Sequence, residues 1–108
     1  MKIDLVELLN SMRSEMFDGF RITENLYFDD GKYNMSIQAS IFHYSVPRQT
    51  LPFSEYTHFE VKLNIPKRDI PRSWSKYQLV NDNIYPFVSK ENIELLIEDL
   101  SKKYGMIY

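Results

Sequence analysis

The chain contains no cysteine, which excludes a disulfide framework, a thiolate zinc site, an iron–sulfur cluster and a cysteine nucleophile together. Its three glycines are too few to build a phosphate-cradling loop. No run approaches the roughly 20 apolar residues that span a bilayer, and in the opening MKIDLVELLN the charges of Asp4 and Glu7 interrupt the apolar stretch a signal peptide needs. Neither sign of charge dominates. A net charge of −2 gives no whole-molecule field to recruit nucleic acid or a membrane, so any such attraction has to be local. These absences lead to the expectation of a soluble, cytoplasmic protein with no metal, no cofactor and no membrane partner.

What is present fits one α+β domain over residues 1–108. Hydrophobic residues at 44% and charged residues at 26% are enough for a core and argue against disorder. Eight tyrosines and seven phenylalanines are generous for the size, and tyrosine serves both a core edge and a wet contact surface.

In IDLVELLNSMRSEMF, residues Leu5, Leu8, Leu9, Met12 and Met16 recur at helical spacing, which predicts an amphipathic helix ended by Asp18-Gly19. From Phe20 to Tyr44 the period changes to two. Tyr33, Met35, Ile37, Ala39 and Ile41 alternate with polar residues, and Asp30-Gly31 offers a hairpin loop. That loop sets Phe28 against Tyr33, Leu26 against Met35, Ile22 against Ala39 and Phe20 against Ile41. Glu24 then falls on the core face, where it needs a bulge or a partner. The stretch SVPRQTLPFSE reads as a connection. In YTHFEVKLNI, Phe59, Val61, Leu63 and Ile65 oppose Tyr56, His58, Glu60, Lys62 and Asn64, giving a third strand antiparallel to the second. From Pro66 to Val88 no period is clear, although YQLV suits a short strand or helical turn. SKENIELLIEDLSKKYG closes as a helix capped by Ser89 and stopped by Gly105, with Ile93, Leu96, Ile97, Leu100 and Tyr104 inward and Leu95 alone on the far side. The expected architecture is a two-layer sandwich of order helix-strand-strand-strand-helix: a three-stranded antiparallel sheet with both helices on one face and the other face open. That order resembles double-stranded-RNA-binding domains in topology alone. The places where that family carries lysines and a histidine read SKENIE and DDGK here, so no membership is assigned.

For chemistry the sequence offers little. His43 falls with the core set and His58 with the wet set, so a shared site is not expected. Asp29-Asp30 and Glu98-Asp99 are adjacent pairs in a turn and on a helix exterior, where solvated charge is the ordinary reading. NIPKRDIPRSWSKY is different. Lys67, Arg68, Arg72 and Lys76 against Asp69 give residues 67–77 a net charge of +3, interleaved with Trp74 and Tyr77. Arginine, tryptophan and tyrosine are the types enriched at interface hot spots, while cations with free aromatic faces also suit single-stranded nucleic acid. The expected working surface is therefore Lys67, Arg68, Arg72, Trp74, Lys76 and Tyr77, joined by the sheet-face residues Tyr44, Tyr56 and His58. The expected function is a non-enzymatic inhibitor or adaptor that binds a protein partner. A nucleic-acid binder is the first alternative, and a small enzyme working from His58 and Glu60 the second. A homodimer through an exposed strand edge or Leu95 is compatible with the same pattern. Small motif-free domains of this composition also fit inhibitors encoded by phages or mobile elements and directed at host defence proteins.

Overall fold

A computed structural model of the chain describes residues 2–78 and 83–107. The element order is α1 (Leu5–Ser11), β1 (Ser14–Phe17), β2 (Phe20–Thr23), β3 (Leu26–Phe28), β4 (Tyr33–Gln38), β5 (His58–Asn64), β6 (Ile84–Ser89), α2 (Lys90–Tyr104) and β7 (Met106–Ile107). All pairings are antiparallel. One sheet runs β6-β5-β4-β3-β7, and β1 and β2 form a separate two-stranded ribbon. The α+β class stands, but the three-stranded sheet is corrected to five strands plus a hairpin.

The expected helix over residues 3–17 is the largest change. It starts as anticipated, with the Asp4 carboxylate accepting from the Glu7 amide at 3.1 Å and Leu5, Leu8 and Leu9 buried. It ends at Ser11, because Asp18 and Gly19 both take positive φ, 48° and 85°, and fold residues 14–17 back on 20–23 with Phe17 opposite Phe20. An Asp-Gly pair in that conformation is the favoured two-residue hairpin turn. Helix termination and strand reversal draw on the same dipeptide, and here reversal prevails. Glu24 has the partner it needed: its carboxylate accepts from the Arg13 amide at 2.6 Å, and its own amide donates to the Arg13 carbonyl.

Because Phe20–Thr23 pairs with β1 rather than with the end of β4, its parity inverts. Arg21 and Thr23 are buried and Ile22 is exposed, the reverse of the expected faces. The other half of that hairpin holds. Leu26 lies opposite Met35 and Phe28 opposite Tyr33. Strand β4 stops at Gln38, whose side-chain amide bonds both the N–H and the C=O of Thr23, at 2.9 and 2.7 Å, in place of a ladder. Ile41, expected inward, is consequently exposed.

Strand β5 pairs with β4 in the expected sense, with Phe59, Val61 and Leu63 buried. Strand β6 was not read from the sequence. Pro86, a positive φ of 57° at Phe87 and a register shift between Phe59 and Val61 break its alternation. The YQLV expectation lies largely outside the described residues; Tyr77 ends a 3-10 helix. Helix α2 has its expected cap, with Ser89 accepting from Asn92, its buried stripe of Ile93, Leu96, Ile97 and Leu100, and Gly105 at φ 75° after it. Beyond that glycine β7 returns to pair with β3. Apolar residues of both helices and of the strands belong to one core. The opposite sheet face is not open as expected, since the β1–β2 ribbon and the turn after β4 cover part of it, Thr23 on Gln38 and His43 beside Glu60.

Arg21 is the tie between these parts. Its Nε and Nη2 donate to the Ala39 carbonyl at 3.2 and 2.7 Å, Nη1 to the Leu51 carbonyl at 2.6 Å, and Nη2 to the Tyr56 hydroxyl at 3.2 Å. The guanidinium carbon lies 4.0 Å from the Phe53 ring centroid. Arg21→Met keeps the stem but orphans two buried carbonyls, and is expected to cost about 2–4 kcal/mol in urea unfolding. Arg21→Lys is expected to recover only part of this, because one ammonium lacks the fork that reaches both carbonyls.

Candidate interaction groove

Pro66 and Pro71, with φ of −59° and −58°, each open a short 3-10 helix, Lys67–Asp69 and Arg72–Lys76. Proline presets that φ and gives up no needed amide at such a start. The second helix aims Trp74 inward. The indole is 1% exposed and packs edge-on against Tyr77 and Tyr85, with centroids 6.1 and 5.6 Å away. This corrects the expectation that Trp74 is a contact residue: a large apolar ring on a segment crossing the core's end gains more from enclosure than from water. Tyr77 is also engaged, being half-buried with its hydroxyl accepting from Asn92 Nδ2 at 2.7 Å.

The first 3-10 helix is clamped to α2. Asp69 accepts from Lys103 Nζ at 2.5 Å and from the Tyr104 hydroxyl. Hydrogen bonds from Lys103 and then Tyr104 hold its carboxyl below its ordinary value of 3.8. The segment's one carboxylate is thus neutralised from outside the segment. Lys67, Arg68, Arg72 and Lys76 are all exposed, and among the described residues none of them joins an ion pair.

Lys67 and Arg72 stand on the wall of an open groove of about 770 Å³. Its apolar lining comes from Leu63, Ile65, Ile70 and Tyr85, and its amides from Asn64, Gln78 and Asn83. Arg68 and Lys76 do not line it. Sequence reading does not find Leu63, Asn83 and Tyr85, because they come from the ends of β5 and β6 and meet the basic segment only in the fold, while Ile70 and Gln78, within and beside that segment, carry no charge or large ring to mark them. The two prolines bracketing that segment were the available signal.

The sheet-face part of the expected site disperses. Tyr56 is buried, its hydroxyl donating to the Gln49 carbonyl and accepting from the Leu51 amide, so its expected contact role is corrected as well. Tyr44 is half-buried, with the Arg48 guanidinium 4.8 Å from its ring centroid. His58 is half-buried and shares a hydrogen bond with Thr57 Oγ1 at 2.8 Å.

His43 is buried, though not on the core face that alternation implied, because β4 has ended before it. It stacks on Phe20, meets Ser40 Oγ through Nδ1 at 2.7 Å and approaches Glu60 to 4.0 Å. Burial, then Arg21 and Arg48, holds its pKa below 6.5, so at neutral pH the approach to Glu60 is not an ion pair. Burial raises the Glu60 carboxyl above 4.5, against the opposing pull of Arg48 and the Tyr44 backbone. Ser40 has no exposed surface and its Oγ already accepts from the Phe42 amide. This serine, histidine and glutamate order a turn around a hydroxyl that is fully enclosed. Among the described residues no group of three or more His, Asp or Glu side chains converges on a metal-sized site, and no helix is long and apolar enough to cross a membrane.

Comparison with protein-family models, with curated proteins and with solved structures finds no match to this chain.

Trp74→Ala is expected to cost about 3–5 kcal/mol, read as a fall in the urea midpoint. For Asp69 the folded pKa lies below the unfolded one, so its stabilisation is present above the unfolded value and is lost as pH falls through the folded one. Asp69→Asn is accordingly expected to lower Tm at pH 7 and to flatten the decline of Tm as pH falls below the unfolded carboxyl's value, measured by circular dichroism across the acid range.

Proposed function

We propose that this chain is a non-enzymatic interaction protein, an inhibitor or adaptor, whose groove takes an extended segment of a partner protein carrying acidic and apolar side chains. One observation carries the reading: Lys67 and Arg72 flank a groove of mixed apolar and amide lining, on a segment held from beneath by Trp74 and from the side by the Asp69 clamp. A backbone held in place loses little freedom on binding, so more of the attraction of the cations it carries survives as affinity. Apolar lining gives a partner's side chains somewhere to leave water, and the wall cations select for carboxylates among them.

The same geometry weighs against the nucleic-acid alternative. Sequence-tolerant binding to single strands combines cations with aromatic faces free to stack on bases. Here Trp74 is enclosed and Tyr77 is engaged with Trp74 and Asn92, which leaves charge without a stacking platform.

The test is fluorescence anisotropy at several salt concentrations with two probes, a labelled library of acidic-apolar peptides and a labelled single-stranded oligonucleotide. Peptide binding is expected to weaken with salt and to fall at least tenfold in the double variant Lys67→Glu, Arg72→Glu, whose Tm should match the parent because both side chains are exposed. Oligonucleotide binding that equals or exceeds peptide binding, or peptide binding indifferent to the double variant, would overturn the proposal.

A further inference from the structure

The strand edges of this molecule are treated unequally. On β6, the outer strand of the main sheet, Pro86 removes one donor, Phe87 leaves regular strand conformation at φ 57°, and the Phe87 amide is spent on the Tyr44 carbonyl. These are the devices by which proteins discourage edge-to-edge pairing. Strand β1 has none of them. All four residues, Ser14 to Phe17, are exposed, with Met16 at 54% and Phe17 at 63%, and the strand contains neither proline nor lysine.

The backbone of β1 has a definite outward set. Phe17 and Phe20 flank the two-residue turn, and the Arg13 carbonyl accepts from Glu24, so residues 13, 15 and 17 direct their amides and carbonyls to β2. Ser14 and Met16 direct theirs away. No backbone partner meets Ser14 or Met16 on that side among the described residues.

We infer that β1 is a dimerisation edge, occupied by β1 of a second copy of this chain in antiparallel register with Met16 opposite Met16. Three constraints select this arrangement. First, an antiparallel pairing of one strand with its own copy closes on a two-fold axis and leaves no further edge to propagate. Second, the charges flanking the strand differ in sign: Arg13 precedes it and Asp18 follows it. Antiparallel pairing brings unlike ends together, and parallel pairing would bring like ends together. Third, outward groups pair only with outward groups, which restricts the centre of the pairing to one of residues 14 to 17, and centring on Phe17 runs the partner along the Asp18-Gly19 turn. Centring on Glu15 sets two carboxylates face to face. Centring on Ser14 runs the partner over Met12, which is buried and caps α1. Centring on Met16 sets Ser14 opposite Asp18, Glu15 opposite Phe17 and Met16 opposite itself, and joins the two ribbons into a four-stranded sheet. Phe17 and Ile22, exposed in a single copy, then lie on one continuous face across the junction.

A chain without cysteine allows a direct test. In the proposed register the two Met16 Cα atoms stand about 5.5 Å apart, within the span of a disulfide. Met16→Cys is expected to give a covalent dimer on mild oxidation, while Glu15→Cys and Leu95→Cys, both at exposed positions, give at least fivefold less. Analytical ultracentrifugation of the unmodified chain is expected to show a monomer–dimer equilibrium that Met16→Pro abolishes, with a Tm equal to that of the unmodified chain at concentrations where it is monomeric. A chain monomeric at every concentration tested would overturn the inference. So would cross-linking at Leu95→Cys that matches Met16→Cys, or a dimer untouched by Met16→Pro.

Discussion

A guanidinium buried without a carboxylate holds this fold in its particular shape. Arg21 is enclosed, and among the described residues neither ion pair involves it. Its charge is met instead by the Ala39 and Leu51 carbonyls, the Tyr56 hydroxyl and the face of Phe53. Burying a charge is costly unless its hydrogen bonds are made, and here the guanidinium and its partners come from three separate stretches of chain. The hairpin bearing Arg21, the end of β4 and the connection before β5 therefore have to arrive together. Tyr56 extends the network by bonding Gln49 and Leu51, so a connection with no periodicity of its own acquires a fixed path. Arg21 also reaches His43 electrostatically, helping to keep that imidazole neutral in its buried turn.

The same residue explains which parts of the structure could be read in advance. Burial on β4, β5 and α2 follows simple periods: Met35, Ile37 and Ala39, then Phe59, Val61 and Leu63, then Ile93, Leu96, Ile97 and Leu100 all stand where alternation or the helical stripe puts them. Each of these elements packs one face on one core, which is the condition those rules assume. Residues 20–23 violate it. Ile22 alternates correctly for a strand extending the second hairpin, yet the position that turns inward is Arg21, because a capped guanidinium outweighs an isoleucine that can remain in water. Met16 misled for a related reason. It completes a helical stripe in the sequence, but a stripe cannot register that Asp18-Gly19 is able to bring the chain back on itself.

Trp74 shows why the proposed surface is only half legible in the sequence. Composition marks the segment, since prolines, cations and aromatics crowd residues 66–77. It could not divide them into those facing in and those facing out. Packing makes that division: Trp74 sinks against Tyr77 and Tyr85, the Asp69 carboxylate turns to Lys103 and Tyr104, and the cations are left outside. Because the aromatic partners are consumed in holding the segment, the surviving character of the surface is cationic beside aliphatic. That difference, invisible in a list of residues, is what moves the functional reading away from base stacking and toward a polypeptide ligand.

Both surfaces argued to be used share one physical logic. Each is a short element too small to be rigid alone: the ribbon β1–β2 has four residues a strand, and the 3-10 helices have three and five. Such elements ordinarily forfeit binding energy to ordering. Here each is fixed by a long side chain reaching into the body of the protein, Arg21 for the ribbon and Trp74 for the basic segment, and each leaves a set of other side chains exposed, Met16, Phe17 and Ile22 on the ribbon and the four cations on the segment. Anchoring is thus separated from display. A substitution at an anchor should act on stability and on binding together, whereas one at a displayed residue should act on binding alone, and this contrast follows from burial alone, whatever the partner proves to be.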